Sequence, residues 1–143
     1  MMTPFITSIL WILPVAYCLY KKNEQIETST CLLLMLMIIM TVFSCMFWMD
    51  PVSNKNTLIH TLDAGCARLT IFVFIAYNVV LQPDNVPFFV SVVIMSAFFY
   101  GSDCCSKNEW CSEYHIYNHL CAHMCALMGI YFTFFHEPNN IKE

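Results

Sequence analysis

The stretch CLLLMLMIIMTVFSCMFWM, residues 31–49, decides the fold, because none of its residues is charged. A helix that crosses the hydrocarbon core of a bilayer, about 30 Å thick, needs about 20 mainly apolar residues. The stretch is about that long, and the segments on either side of it, KKNEQIETST (21–30) and DPVSNKNT (50–57), are polar. The sequence therefore predicts a transmembrane helix over residues 31–49, and Pro51 prevents its continuation.

The whole chain has the composition of an integral membrane protein. Of its 143 residues, 59% are hydrophobic and only 11% are charged, whereas about a quarter of the residues of a soluble domain are charged. The formal net charge is −4, without a basic run or an acidic tail. This charge distribution argues against nucleic acid as a partner and favours membrane lipids.

Four other apolar stretches predict further spans. The first contains Pro14, which predicts a kink, and it has neither a preceding basic region nor a following small-residue cleavage site. We therefore interpret it as a retained span and not as a signal peptide. The expected fold is all-α, an integral membrane helical bundle of about five transmembrane helices that forms a single domain over residues 1–143. The spans are predicted at residues 5–20, 31–49, 58–81, 87–101 and 114–135.

Five spans place the two ends of the chain on opposite sides of the membrane. Lys21 and Lys22 follow the first span, whereas the loops on the other side carry one lysine each. Positively charged loops favour the cytosolic side. The bias places residues 21–30 and the C-terminus in the cytosol, and the loops 50–57 and 102–113 on the lumenal or external side.

The chain has nine cysteines, six of them within apolar stretches, where they are expected to act as small buried hydrophobic residues. Cys104, Cys105 and Cys111 lie instead in a polar segment, and their spacing lacks the paired C-x2-C halves of a structural zinc site. In an oxidising lumen, the expected bond is one disulfide such as Cys105–Cys111.

The same polar segment contains a helix-start signal. Ser106 and Glu109 form a Ser-x-x-Glu capping box. This pattern predicts that the last helix begins near Lys107.

Polar residues within the spans concentrate at one end of the predicted bundle. The second and fourth spans end, and the third and fifth begin, on the same side of the membrane in either orientation. The opposite halves of the third and fifth spans, TIFVFIAYNVV and ALMGIYFTFF, are almost purely apolar. Since polar groups inside a membrane are costly, they mark candidate functional sites. The residues expected to meet there are Ser44, His60, Asp63, Arg68, His115, His119 and His123.

The three histidines of the last span are spaced four residues apart. Residues i and i+4 of a helix lie about 6 Å apart along the axis, so that two histidines can share a metal ion, whereas i and i+8 are about 12 Å apart. His115 and His119 are expected at the same depth in the membrane as His60 and Asp63, so these four residues are the preferred set for a polar site. His123 lies a turn deeper and is interpreted as a helix-packing residue.

Imidazole and carboxylate groups suit Zn²⁺, and three protein ligands with one open position are typical of a catalytic site. The hypothesis is therefore a zinc ion held by His60, His115 and His119. Zinc-bound water can ionise near neutral pH and attack a polarised carbonyl. Asp63 could accept a proton or orient a histidine, and Ser44 could donate a hydrogen bond to the water or to the developing oxyanion.

Each of these residues also has a structural interpretation, and the sequence leaves both open. His115 can lie at the membrane interface. Asp63 can favour the positive end of its helix, and Ser44 can bond back to its own helix. Arg68 can extend towards the interface or pair with Asp63 or Glu113.

The order of these features resembles the CREST superfamily of membrane proteins, which includes alkaline ceramidases, Per1-like proteins and the progestin and adiponectin receptors. SCMFW (44–48) is similar to the family's Ser-x-x-x-His motif, with Trp48 in the histidine position. Asp63 stands in the place of the family's aspartate, and HIYNH (115–119) is similar to its final His-x-x-x-His. The resemblance implies a zinc-dependent hydrolase of lipid amide or ester bonds.

Two other classes remain open. Ten methionines and nine cysteines suggest a copper transporter, because soft sulfur ligands select Cu(I). A non-enzymatic membrane scaffold or envelope protein would use the same polar residues to join helices. The chain has no filter-like loop or ring of charge, which argues against a channel.

Overall fold

The computed structural model describes residues 3–21 and 27–135. This part of the chain is all-α, as the sequence predicts. Its helices are α1 (Thr3–Leu10), α2 (Ile12–Lys21), α3 (Thr28–Met49), α4 (Leu58–Leu81), α5 (Val86–Asn108) and α6 (Glu113–Phe135). Of these, α3, α4 and α5 are long and apolar enough to cross a membrane.

The first apolar stretch forms two helices that meet at Trp11, where the Trp11 N–H donates to the Ser8 carbonyl at 3.2 Å. Pro14 explains the interruption, because it has no N–H to donate to the carbonyl of Leu10 and its ring crowds that carbonyl. The kink that Pro14 predicts is thus present as a break between α1 and α2.

Helix α5 continues seven residues beyond the predicted end of the fourth span, and the predicted capping box is wrong. Ser106 lies inside α5 and donates its hydroxyl hydrogen to the Asp103 carbonyl at 2.8 Å, while Glu109 follows the last turn. Lys107 and Asp103 form an exposed ion pair of the i,i+4 kind that supports a helix. The helix continues past the apolar sequence because local bonds such as the Lys107–Asp103 pair support its polar last turns.

The bundle consists of two helical hairpins, α3–α4 and α5–α6, that are held together by the α1–α2 pair. Helices α1 and α2 both pack on α3 and on α6, whereas α4 touches α6 only slightly. Within the described residues, α4 and α5 share no extensive contact, although they are consecutive in the chain. Helices α4 and α5 therefore do not form a closely packed pair, although Phe74 of α4 and Phe88 of α5 are both buried.

The loops of the two hairpins lie together at one end of the bundle. Trp110, between α5 and α6, donates its indole N–H to the carbonyl of Pro51, between α3 and α4, at 3.1 Å. We call this end, which carries residues 50–57 and 109–112, the hairpin face. The meeting of the two loops follows the predicted chain path.

A polar network that the sequence analysis missed closes the opposite end. The Asn78 side chain donates to the Thr133 hydroxyl at 2.9 Å, and Asn85 donates to the Asn78 side-chain oxygen at 2.9 Å. Gln82 donates to the Thr133 carbonyl at 3.1 Å. These bonds join the α4–α5 turn to α6, and they explain how two fully buried asparagines are tolerated within apolar sequence.

Candidate functional site

The residues that the sequence selects line one cavity of about 460 Å³ below the hairpin face. Its walls come from α3, α4, α5 and α6, and Trp11 contributes from the junction of α1 and α2. The predicted residues in the lining are Ser44, His60, Asp63, Arg68, His115, His119 and His123. The hairpin topology thus brings the predicted polar cluster together, and the contacts of each side chain decide what that cluster can do.

His60 is part of the N-terminal cap of α4. Asn56 has a φ angle of 61°, and its backbone N–H donates to Nδ1 of His60 at 3.2 Å. The Thr57 hydroxyl accepts the His60 backbone N–H at 3.5 Å. The His60 ring also stacks on Phe47, with 5.0 Å between ring centroids.

His115 occupies the same position in α6. Cys111 also has a φ angle of 61°, and its backbone N–H donates to Nδ1 of His115 at 3.1 Å. The Ser112 hydroxyl accepts the His115 backbone N–H at 3.3 Å. NTLIH (56–60) and CSEYH (111–115) are therefore two copies of one capping arrangement.

These caps determine the tautomer of His60 and His115. A ring nitrogen that accepts a backbone N–H carries no hydrogen, so that the neutral rings are protonated at Nε2. A histidine that binds a metal normally donates its second N–H to an oxygen, whereas here the second ring nitrogen accepts a bond. In this arrangement the two rings serve as helix caps and do not fit the role of zinc ligands.

His123 differs from His60 and His115, because its Nδ1 carries the hydrogen and donates a bond. Its Nδ1 lies 3.3 Å from the Thr7 hydroxyl, and that hydroxyl donates its own hydrogen to the Pro4 carbonyl at 2.9 Å. The Thr7 oxygen therefore accepts from Nδ1–H, which leaves the lone pair of His123 on Nε2. The sequence interpretation of His123 as a packing residue misses this hydrogen bond.

His119 lies beside His123, and the two rings form the closest pair among the histidines of residues 3–21 and 27–135. Nδ1 of His119 is 3.5 Å from the Ser102 hydroxyl. The ring centroids of His119 and His123 are 4.5 Å apart, against 6.2 Å for His115 and His119. Two imidazoles on one tetrahedral zinc ion have centroids about 5 Å apart, from a Zn–N distance of about 2.0 Å. The geometry thus favours the pair His119–His123 over the predicted pair His115–His119.

The pair is not completed by a third ligand. No group of three or more His, Cys, Asp or Glu side chains within residues 3–21 and 27–135 is placed to hold a metal ion. Next to His119 stands Trp48, whose ring centroid is 4.7 Å away and whose indole cannot serve as a ligand. Since catalytic zinc sites have three protein ligands, the described residues do not make a complete one.

Ser44 bonds neither to its own helix nor to a histidine, but to α1. Its Oγ lies 2.9 Å from Oγ of Ser8, and Ser8 donates to the Pro4 carbonyl at 2.9 Å. The Ser44 hydroxyl hydrogen therefore points to Ser8 when Ser8 bonds to Pro4. Asp63 is buried and lies close enough to Ser44 to interact with it electrostatically. Ser44 thus joins α1 to the cavity wall.

The polar cavity borders a small apolar one. This second cavity, of about 30 Å³, shares the wall residues Trp11, Met40 and Ile71 with the polar one. Its other walls come from α4, α5 and α6, and they include Phe74 and Phe88. A polar compartment below the hairpin face thus adjoins an apolar one between α4 and α5.

The predicted disulfide is absent. Cys104, Cys105 and Cys111 are free thiols, and the Cys105 sulfur lies 4.0 Å from the side-chain nitrogen of Asn118 on α6. Because α5 extends through Cys105, that thiol is fixed on the surface that packs on α6. Burial raises the pKa of the Cys111 thiol in the loop.

Comparison with known proteins suggests no function for the chain, so a functional proposal has to rest on the geometry of the site. No protein-family model, curated protein or solved structure matches the chain. The resemblance to the CREST superfamily therefore rests on Ser44, Asp63 and the histidines of α6, and Trp48 separates the chain from that pattern.

Proposed function

We propose that the protein is an integral membrane protein that binds a membrane lipid in its cavity. In this proposal the lipid headgroup lies below the hairpin face and its hydrocarbon chain lies between α4 and α5. The observation that carries the proposal is that the polar cavity adjoins an apolar space between α4 and α5, with which it shares Trp11, Met40 and Ile71. A ligand that occupies both compartments is amphipathic, as membrane lipids are.

The outer surface supports a location in a membrane. Large apolar side chains are exposed on every long helix, with exposed fractions of 57% for Met35, 68% for Phe72, 69% for Val93 and 53% for Met128. A soluble monomer rarely exposes so much contiguous apolar surface. We propose that α1 and α2 together form one broken span and that α6 is the fifth span.

The polar compartment offers groups that can orient a headgroup. Ligand sites are mostly apolar, with a few placed polar groups that fix the orientation of the ligand. Here the Nε2 lone pair of His123 and the carboxyl group of Asp63 are acceptors, whereas the guanidinium group of Arg68 is a donor.

A second candidate is the zinc-dependent lipid amide or ester hydrolase that the resemblance implies. It is favoured by one observation, the Nδ1 atoms of His119 and His123 that face hydroxyl oxygens, as in ligands of metal ions. If zinc were bound, these two histidines would hold it, and it would supply a polarised water. We rank this candidate second, because the described residues place no third ligand beside His119 and His123.

The positions of four described methionines do not favour a copper pathway. Met37 and Met40 are buried in the hydrophobic core with Leu33 and Leu34, where they fill space. Met35 and Met128 point to the outside of the bundle. A scaffold without a ligand remains the alternative that the following experiment tests.

The test is retention of lipid by the purified protein. In Ala67→Trp, the indole would fill part of the cavity, because Ala67 lines it. In the control Ala97→Trp, the same change is made at an exposed alanine of α5 that does not line the cavity. We expect co-purified lipid, measured by mass spectrometry, to fall in Ala67→Trp and to stay at the wild-type level in Ala97→Trp. If Ala67→Trp and Ala97→Trp both retained as much lipid as wild type, a scaffold without a ligand would be the better description.

A further inference from the structure

Arg68 is a charge in the middle of α4 for which the fold shows no structural use. It lies ten residues after Leu58, the first residue of this 24-residue helix, and therefore about 15 Å along an axis of about 36 Å. Its side chain lines the cavity. On the proposed function, this position is near the middle of the membrane, where a cation faces a cavity and meets a partner.

No carboxylate pairs with Arg68 in the described part of the chain, where Lys107–Asp103 is the ion pair that forms. The two partners that the sequence suggests, Asp63 and Glu113, are not bonded to it. Five residues separate Asp63 from Arg68, which turns the two side chains about 140° apart on the helix. Asp63 faces Ser44 instead.

The Arg68 side chain is directed towards the hairpin face. Side chains on a helix tilt towards its N-terminus, and the N-terminus of α4 lies at that face. The guanidinium group is therefore at the level of the polar compartment.

We propose that Arg68 binds the anionic group of the ligand, and that the ligand is a lipid with a phosphate or carboxylate in its headgroup. A guanidinium group presents parallel N–H donors that match both anions. Arg68 is exposed at the cavity wall, and a bound anion would supply the ion-pair partner that the described residues do not. This inference rests on the proposed function, since it assigns the class of the bound lipid.

The experiment uses wild type, Arg68→Gln, Arg68→Lys and the control Lys107→Gln, which removes a lysine of the exposed end of α5. Each full-length protein is equilibrated in mixed phosphatidylcholine and phosphatidic acid and then purified, and the ratio of the two retained lipids is measured by mass spectrometry. We expect phosphatidic acid to be enriched by wild type and by Lys107→Gln. The enrichment should fall about tenfold in Arg68→Gln, since a hydrogen bond to a charged group is lost. The enrichment by Arg68→Lys should lie between those of wild type and Arg68→Gln, because lysine keeps the positive charge but lacks the two parallel N–H donors.

Two results would overturn the inference while leaving the proposed function intact: retention of both lipids without enrichment by wild type, or equal enrichment by wild type and Arg68→Gln. Loss of lipid of either kind from wild type would instead count against the proposed function. Inorganic phosphate is added in a separate arm. If it displaces phosphatidic acid from wild type at equal concentration, Arg68 binds a free anion and the lipid assignment is wrong.

Discussion

His60 and His115 accept the same hydrogen bond at the same atom. Each Nδ1 takes the backbone N–H of the residue four positions earlier, at 3.2 Å and 3.1 Å, and that residue has a φ angle of 61° in both loops. Both rings lie close to Trp110, with centroids 5.4 Å and 4.9 Å from its ring. The entries to α4 and α6 are thus built alike and are in contact.

The first prediction concerns the cap at His115. Replacing it with alanine leaves the Cys111 N–H without its acceptor, so we expect His115→Ala to lower the free energy of unfolding by about 1–3 kcal/mol. Thermal unfolding in detergent measures the change. Tyr114→Ala, at an exposed neighbour, is the control. A loss in Tyr114→Ala as large as that in His115→Ala would contradict a specific role for the cap.

The second prediction separates the histidine pairs by zinc content. If the second candidate function is correct, purified wild type contains zinc and the double variant His119→Ala, His123→Ala does not, because these two rings are close enough to share one ion. The double variant His60→Ala, His115→Ala should keep its zinc. The measurement is metal stoichiometry by mass spectrometry. Equal zinc in wild type and in the His119, His123 variant would rule out this metal site.

The choice between the histidine pairs shows where sequence reasoning stops. Spacing places His115–His119 and His119–His123 on equal terms, since both are i,i+4 pairs. What distinguishes the two pairs is the group bonded to Nδ1 of the outer ring: the Cys111 N–H for His115 and the Thr7 hydroxyl for His123. Thr7 is 116 positions away from His123 in the chain. A lone threonine in an apolar stretch carries no signal of that contact.

The features that the sequence predicts correctly depend on the length of each apolar stretch, the positions of the polar residues and the path of the chain. An uncharged stretch of about 20 residues defines a helix by itself, and two hairpins necessarily bring the start of α4 near the start of α6. The end of α5 was missed because residues 102–108 stay helical after the apolar pattern has ended. The network of Asn78 was missed because its partners come from the α4–α5 turn and from α6.

The third prediction concerns Trp110, which joins the two hairpin loops. In Trp110→Phe the ring stays but the bond to the Pro51 carbonyl is lost, at a cost of about 1 kcal/mol. We expect faster amide hydrogen exchange in both loops, 50–57 and 109–112, measured by mass spectrometry. Exchange that speeds up in the second loop alone would show that Trp110 does not couple them.

The fourth prediction concerns the buried network at the opposite end. Asn78→Ala removes the donor to Thr133 and the acceptor for Asn85, leaving buried groups unsatisfied. We expect a loss of about 2–6 kcal/mol in the free energy of unfolding, the sum of two such unsatisfied groups. Asn108→Ala, at the exposed end of α5, is the control and should change little. A small effect of Asn78→Ala would mean that other groups satisfy the network.

The fifth prediction follows from the thiols of the hairpin face. Because no disulfide joins Cys105 and Cys111, the mass of the intact protein should be the same with and without a reducing agent. Among the loop thiols, the exposed Cys104 should react first with a maleimide. Burial raises the pKa of Cys111, and the thiolate is the reactive form, so its alkylation should be slow at neutral pH and accelerate as the pH rises. Peptide mapping after timed labelling gives both rates. If Cys111 reacted as fast as Cys104 at neutral pH, the closed loop that presents its N–H to His115 would not describe the protein in solution.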